Sequence, residues 1–272
     1  MNRYVDKSKD VPVYKPEQLC SFFDNTGLSW LIMITGGEPF IYPKFIDICI
    51  ELEKKHYLQV TTNLSTDTIY DFADRLNPDR VFLLSASFHY PERNNKKLID
   101  DFIDKCCYLK NKGFQVLVNY VAHPATLNRM EEDMAHFASL GISSFAVVLR
   151  GETDGKNYPE SYTENELNVI KKYLIDSNIE LNSAFGKLNY YKRYCSAGKN
   201  YFVIDAYGNI SRCSTLLKKT GNFYEGNYVL NDHLKPCLVT NCNDGHCGLA
   251  AIIDKKASVV KMYFEKRAYN RI

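Results

Sequence analysis

From about residue 30 to residue 180, short apolar runs alternate with stretches whose apolar positions recur at helical spacing. The segments 30–35 (WLIMIT), 58–62 (LQVTT), 80–87 (RVFLLSAS), 114–121 (FQVLVNYV) and 144–149 (SFAVVL) read as strands. Their nearly continuous apolar character suits parallel strands covered on both faces. Between them, Ile69, Phe72, Ala73 and Leu76 form one helical stripe, and Ile99, Phe102, Ile103 and Cys106 form another. Leu127, Met130, Met134 and Phe137 continue the theme, with Gly141 placed to end that helix. Thr163 followed by Glu166 reads as a capping box for a helix carrying Leu167, Ile170 and Leu174. Repeated strand–helix units predict an α/β fold with a parallel sheet, open or closed as a barrel. The rhythm stops at residues 185–195 (FGKLNYYKRYC), which sets a boundary between a domain of residues 1–190 and one of 191–272. The last residues, KKASVVKMYFEKRAYNRI, read as a final helix.

A chain of 272 residues is long enough to bury a substantial core, and 45% hydrophobic with 24% charged residues is ordinary for a water-soluble globule. Its formal charge of +2 gives no reason to expect nucleic acid or a membrane surface as partner. The first eighteen residues are polar and hold no apolar signal core. No apolar run reaches the roughly 20 residues of a membrane span. A cytoplasmic location follows as the expectation. The nine cysteines, in a chain neither short nor signal-bearing, are not read as a disulfide framework. Cys49 and Cys106 fall on apolar stripes and are expected in the core, with Cys107 beside Cys106 pointing elsewhere on the helix.

Chemistry-bearing residues collect where the predicted strands end. Active sites of α/β barrels form at the carboxyl ends of the strands. Here those ends are Gly36-Gly37-Glu38-Pro39, Thr62-Asn63, Ser85-Ala86-Ser87-Phe88-His89, Asn119 with His123, and Arg150-Gly151. Gly36 and Gly37 lack a Cβ, so a ligand can approach their amides, while Pro39 stops the strand. A lone Gly-Gly-Glu-Pro is also an ordinary strand-to-helix turn, and single loop histidines are rarely catalytic. Taken together, the strand ends favour a pocket for a polar small molecule, with Arg150 able to clamp a carboxylate.

A strand ending in Gly-Gly-Glu-Pro, a unit ending in Thr-Asn and a strand ending in a serine pair resemble, over residues 15–180, the core of the radical SAM superfamily. The resemblance implies a partial (β/α)6 TIM-like barrel that here lacks its first strand. It also implies an S-adenosylmethionine site formed by Gly36, Gly37, Glu38 and Pro39, with Asn63, Ser85, Ser87, Asn119 and Arg150 on later strand ends. In that family a Cys-x3-Cys-x2-Cys loop after the first strand leaves one iron of a 4Fe–4S cluster open to S-adenosylmethionine. Only Cys20 lies upstream of Gly36. The expectation is therefore a chain that is N-terminally truncated, or a degenerate paralogue that has lost the cluster, and inactive by itself in either case. The catalytic cluster would be present only with the loop restored.

Five further cysteines, Cys195, Cys213, Cys237, Cys242 and Cys247, crowd into the C-terminal part. Residues 200–213 read as a hairpin turning at Ala206–Asn209, with Gly208 in positive φ. Thiolate groups of this kind suit zinc or iron–sulfur. The pattern Cys-x12-Gly-x4-Cys is similar to the SPASM and twitch extensions of radical SAM enzymes. That likeness implies a small cysteine-rich C-terminal domain holding an auxiliary 4Fe–4S cluster on four of the five thiolates. The Cys-x4-Cys-x4-Cys spacing departs from the usual downstream Cys-x2-Cys pair. The function implied is radical-based modification of a peptide or small-molecule substrate, with a reductant such as ferredoxin or flavodoxin as partner. The alternatives are a non-catalytic degenerate paralogue and a zinc-binding scaffold.

Overall fold

A computed structural model of the chain describes residues 15–90, 96–205, 207–216, 218–228 and 230–242. The predicted C-terminal helix and Cys247 lie outside these residues. By their contacts the residues divide into two compact units, one of Tyr14–Ile175 and one that begins at Asp176.

The first unit is built on β1 (Leu31–Ile34), β2 (Tyr57–Thr62), β3 (Val81–Phe88), β4 (Val116–Val121) and β5 (Ser143–Val147). They form one sheet in the order β1-β2-β3-β4-β5, every pair parallel. Before β1 lies α1 (Pro16–Asp24). The crossovers are α2 (Phe45–Glu53), α3 (Thr68–Arg75), α4 (Lys96–Asn111) and α5 (Met130–Ser139).

Alternation along the strands separates two faces. Leu58, Val60, Leu84, Ala86, Val118 and Tyr120 are fully buried on one of them. Phe88 joins that face and packs edge-on against Phe137, at 5.4 Å between ring centres, and tilted against Phe102 at 5.1 Å. On α3, the stripe Ile69, Phe72 and Ala73 is buried as its spacing predicts. Pairing in register carries the opposite face across the sheet, because Thr61 lies beside Ser85 and Ser87 beside Asn119. That face is the polar one.

Three local departures from the sequence pattern have simple causes. Leu127 precedes α5 instead of opening it, because Pro124–Thr126 form a separate 3-10 turn capped by His123. After β5 the chain folds into a hairpin of β6 (Gly151–Thr153) and β7 (Lys156–Tyr158), strands too short to give a period. The capping box does form: Thr163 N donates to Glu166 Oε2 at 2.7 Å and Glu166 N to Thr163 Oγ1 at 3.3 Å, starting α6 (Glu164–Lys171).

In the second unit, α7 (Ser177–Ala184) buries only Ser183, whereas α2 buries Phe45, Ile46, Ile48, Cys49 and Leu52. A helix without an apolar stripe has no reason to cover a sheet. The boundary drawn from composition leaves α7 with the first domain, and its contacts place it with the residues that follow. Beyond it come β8 (Tyr194–Cys195), β9 (Val203–Ile204), β10 (Asn209–Ser211), β11 (Lys219–Asn222) and β12 (Lys235–Pro236). β9, β10 and β11 form an antiparallel sheet, and β8 pairs with β12. The predicted hairpin is present as β9–β10, with Gly208 at φ +77°.

Candidate functional site

The turn after β1 is built for close approach. Gly36 and Gly37 have φ of +93° and +61°, and a Cβ added at either would meet nothing within 4 Å. Among the described residues, neither of their amides donates to a turn or loop carbonyl. The turn is bare backbone facing open space.

Glu38 works inward. Its Oε1 accepts from Phe40 N at 3.2 Å and from Thr62 Oγ1 at 2.7 Å, and its Oε2 accepts from Asn63 N at 2.7 Å. One carboxylate therefore caps the 3-10 turn Pro39–Ile41 and fastens it to the end of β2. Hydrogen bonds to an ionised acceptor are shorter and stronger than neutral ones. Pro39 is buried at the first position of that turn, where its missing N–H costs nothing.

The end of β2 is fixed from its other side as well. Thr62 Oγ1 accepts from Leu64 N at 3.0 Å, and Asn63 Oδ1 accepts from Ser65 N at 2.9 Å. Leu64 lies in the left-handed region at φ +54°. From α4, Lys105 donates to Leu64 O at 3.4 Å and pairs with Asp67 at 3.0 Å and Asp101 at 2.9 Å. Burial would lower the lysine's pKa, but the two aspartates outweigh it and hold it above the usual range. Thr62 was noted from sequence only as part of a strand end, without a role, and Lys105 was not among the residues expected. Their partners are 24 and 41 residues away, beyond the reach of any periodicity.

On the polar face, Asn119 Nδ2 donates to Ser85 Oγ at 2.6 Å. Among the described residues, Asn119 Oδ1 and Gln59 Oε1 are buried and have no hydrogen-bond partner. Such acceptors are uncommon in folded chains and call for an occupant. Ser87 lies beside Asn119 in register and is half-buried. The exposed Arg150 sits in the connection between β5 and β6, beyond the strand end. His123 is a cap, accepting from Ala125 N at 3.2 Å. The strand ends thus assemble Gly36, Gly37, Glu38, Pro39 and Asn63 in one network and join Ser85 to Asn119.

The second unit collects thiols. Cys195, Cys213 and Cys242 are buried in one cluster with Ala197, and Cys237 packs against it. Burial first, then the neighbouring Cys195, Cys242 and Cys213, push the Cys237 thiol up from its ordinary value. Main-chain amides already face two sulfurs, Leu216 N donating to Cys213 Sγ at 3.2 Å and Ala197 N to Cys195 Sγ at 3.5 Å. All eight described cysteines are free thiols. Cys49 and Cys106 are fully buried core residues, as their stripes predict. Among the described residues, no three His, Cys, Asp or Glu side chains are arranged to hold a single metal ion.

No protein-family model and no curated protein matches the sequence. Two solved proteins are among those with a similar fold. One is SuiB of Streptococcus suis. Bound to S-adenosylmethionine it superposes with a TM-score of 0.56 at 17% identity, over 86% of this chain and 58% of that one. Bound to the precursor peptide SuiA it gives 0.55 at 14% identity, over 98% and 63%. The other is anSMEcpe with bound AdoMet and a peptide, at a TM-score of 0.57 and 14% identity, over 85% of this chain and 74% of that one. At such identities the shared property is the fold. The chain spans about 60% of the length of SuiB. No helix among the described residues is long and apolar enough to cross a membrane.

Proposed function

We propose that the chain is a radical SAM protein of the peptide-modifying kind, its first unit a partial (β/α)6 barrel and its second an auxiliary iron–sulfur lobe. The observation that carries the reading is the Gly36–Gly37 turn: two exposed glycines in positive φ, with open space before them and a carboxylate holding the turn to β2. Bare amides at a strand end suit the polar methionyl end of S-adenosylmethionine. The unpartnered acceptors of Asn119 and Gln59 suit the hydroxyl and amino donors of its nucleoside. The complexes of SuiB and anSMEcpe with S-adenosylmethionine, and with peptides, support both ligands for this fold.

The residues present also fit a cluster. Cys195, Cys213 and Cys242 are buried together with Cys237 packed against them, and two of the four already accept amide hydrogen bonds, a feature that tunes iron–sulfur centres. Cys195, Cys213, Cys237 and Cys242 would hold it, and Cys247 lies outside the described residues. A 4Fe–4S unit supplies one-electron chemistry there. The chain's own part is to hold the thiols close together, exclude water and direct N–H groups at sulfur. A reductant such as ferredoxin or flavodoxin is the partner this chemistry calls for. No Cys-x3-Cys-x2-Cys occurs in the 272 residues, so this chain alone binds S-adenosylmethionine without cleaving it.

Anaerobic reconstitution of the full chain tests the lobe, with iron and sulfide incorporated at about 4:4 as the expected result. Zinc without sulfide would overturn the cluster. Calorimetric titration with S-adenosylmethionine tests the strand ends, and the absence of binding heat at millimolar ligand would overturn that site.

A further inference from the structure

We infer that Arg212 is the positioning residue of the cysteine lobe, a single guanidinium that ties three thiol-bearing segments together and sets a positive charge beside them. Its Nε donates to Ala197 O at 2.7 Å, one terminal nitrogen to Lys235 O at 2.6 Å and the other to Pro236 O at 2.9 Å. Each contact lies within two residues of a cysteine in the chain. Ala197 follows Cys195 by two residues, Pro236 directly precedes Cys237, and Arg212 directly precedes Cys213. Three short segments with little regular structure of their own thus meet at one planar group. Only arginine offers five N–H donors in a fixed fork; lysine keeps the charge as a single point and cannot meet three carbonyls in that way.

The backbone makes room for this arrangement. Gly198 has φ +87°, and a Cβ there would lie 3.1 Å from Cγ of Arg212 and 2.3 Å from Nδ2 of Asn231. The arginine stem therefore crosses bare chain. Cys242 is held separately, its amide donating to Leu188 O at 2.7 Å.

Among the described residues, no carboxylate cancels the charge of Arg212. All three of its acceptors are neutral carbonyls, and among the described residues its guanidinium forms no ion pair with a carboxylate. A four-thiolate 4Fe–4S unit is anionic and gains negative charge on reduction, so a fixed cation beside it favours the reduced form. This second consequence rests on the iron–sulfur reading. The clamp does not, because it concerns the chain without metal.

The experiment compares the parent chain with Arg212→Lys and Arg212→Gln. The first readout is site-resolved alkylation of the metal-free, reduced protein, followed by mass spectrometry. Cys195 and Cys213 are each only 6% exposed in the parent. Both substitutions are expected to speed labelling of Cys195, Cys213 and Cys237 tenfold or more, with Cys49 and Cys106 unchanged. Equal rates in all three proteins overturn the clamp. So does a parallel rise at Cys49 and Cys106, which marks general unfolding. The second readout is the midpoint potential after reconstitution with iron and sulfide. Arg212→Gln is expected to move to a more negative potential and Arg212→Lys to stay near the parent. Identical potentials for the parent and Arg212→Gln overturn the charge effect. A parent that takes up no iron or sulfide overturns the cluster reading, and alkylation still decides the clamp.

Discussion

The two units hold their candidate sites by opposite means. At the strand ends, site residues are fixed by a sheet whose five parallel strands are covered by helices, and hydrogen bonds only trim the result. In the cysteine lobe, Cys195 sits on a strand of two residues, and Cys237 and Cys242 are placed by single bridges to Tyr191 and Leu188. The lobe's buried cluster is itself made of Cys195, Ala197, Cys213 and Cys242. There the thiols proposed as ligands are the core. A site embedded in a sheet tolerates loss of one contact, whereas a site that is its own core loses ligation and packing together.

The largest expected effect follows from that contrast. Cys213→Ala should abolish iron and sulfide uptake and weaken the lobe, while leaving melting of the sheet unit unchanged. Cys49→Ala should do the reverse, sparing uptake and costing the first unit about 1 kcal/mol through a small cavity. Metal analysis beside calorimetric unfolding checks both, and full uptake by Cys213→Ala would break the comparison.

Next comes Gly37→Val. A β-branched residue at φ +61° costs about 1–2 kcal/mol of folding and fills the open space before the turn. Binding of S-adenosylmethionine should fall tenfold or more, read by calorimetry alongside thermal unfolding. Equal binding would mean that the glycines form only a turn.

Glu38→Gln is smaller and sharper. The substitution removes the charge from a group with three donors, at a cost of about 1–2 kcal/mol for a half-buried site. Its mark should be faster hydrogen exchange at the Asn63 amide, with exchange in β4 unchanged.

The smallest effect belongs to His56, 2% exposed, which accepts from Trp30 N at 3.3 Å and faces Asp24 at 3.2 Å. Burial outweighs the attraction of Asp24 and lowers its pKa from the ordinary 6.5. The folded chain therefore binds fewer protons at His56 than the unfolded one. Its contribution is fully present above pH 6.5 and is lost as pH falls toward the depressed value. His56→Gln should flatten that part of a Tm-against-pH curve.

Much of this was legible in the sequence because it is local. Parallel strands show as apolar runs, Thr163–Glu166 as a cap, and Gly208 as a hairpin turn, since each depends on neighbours a few residues apart. The grip of Thr62 on Glu38 and of Lys105 on Leu64 was not, because it joins residues 24 and 41 positions apart. Arg212 gave no signal either: beside Ser211 and Cys213 it reads as one more solvated charge, and only the approach of residues 197, 235 and 236 gives it a role.

Strand order has a consequence for the time at which each site exists. In the sheet every strand lies beside the one made just before it, so a growing chain can add β2 to β1, then β3, then β4, with contacts of short sequence separation. The Gly36–Gly37 turn is then tied to β2 early in synthesis. Cys195, by contrast, finds its partner Lys235 only after the whole β9–β11 sheet has been made, and Cys242 later still. Until then the newly made thiols have no burial to protect them, although the sheet that precedes them is already complete.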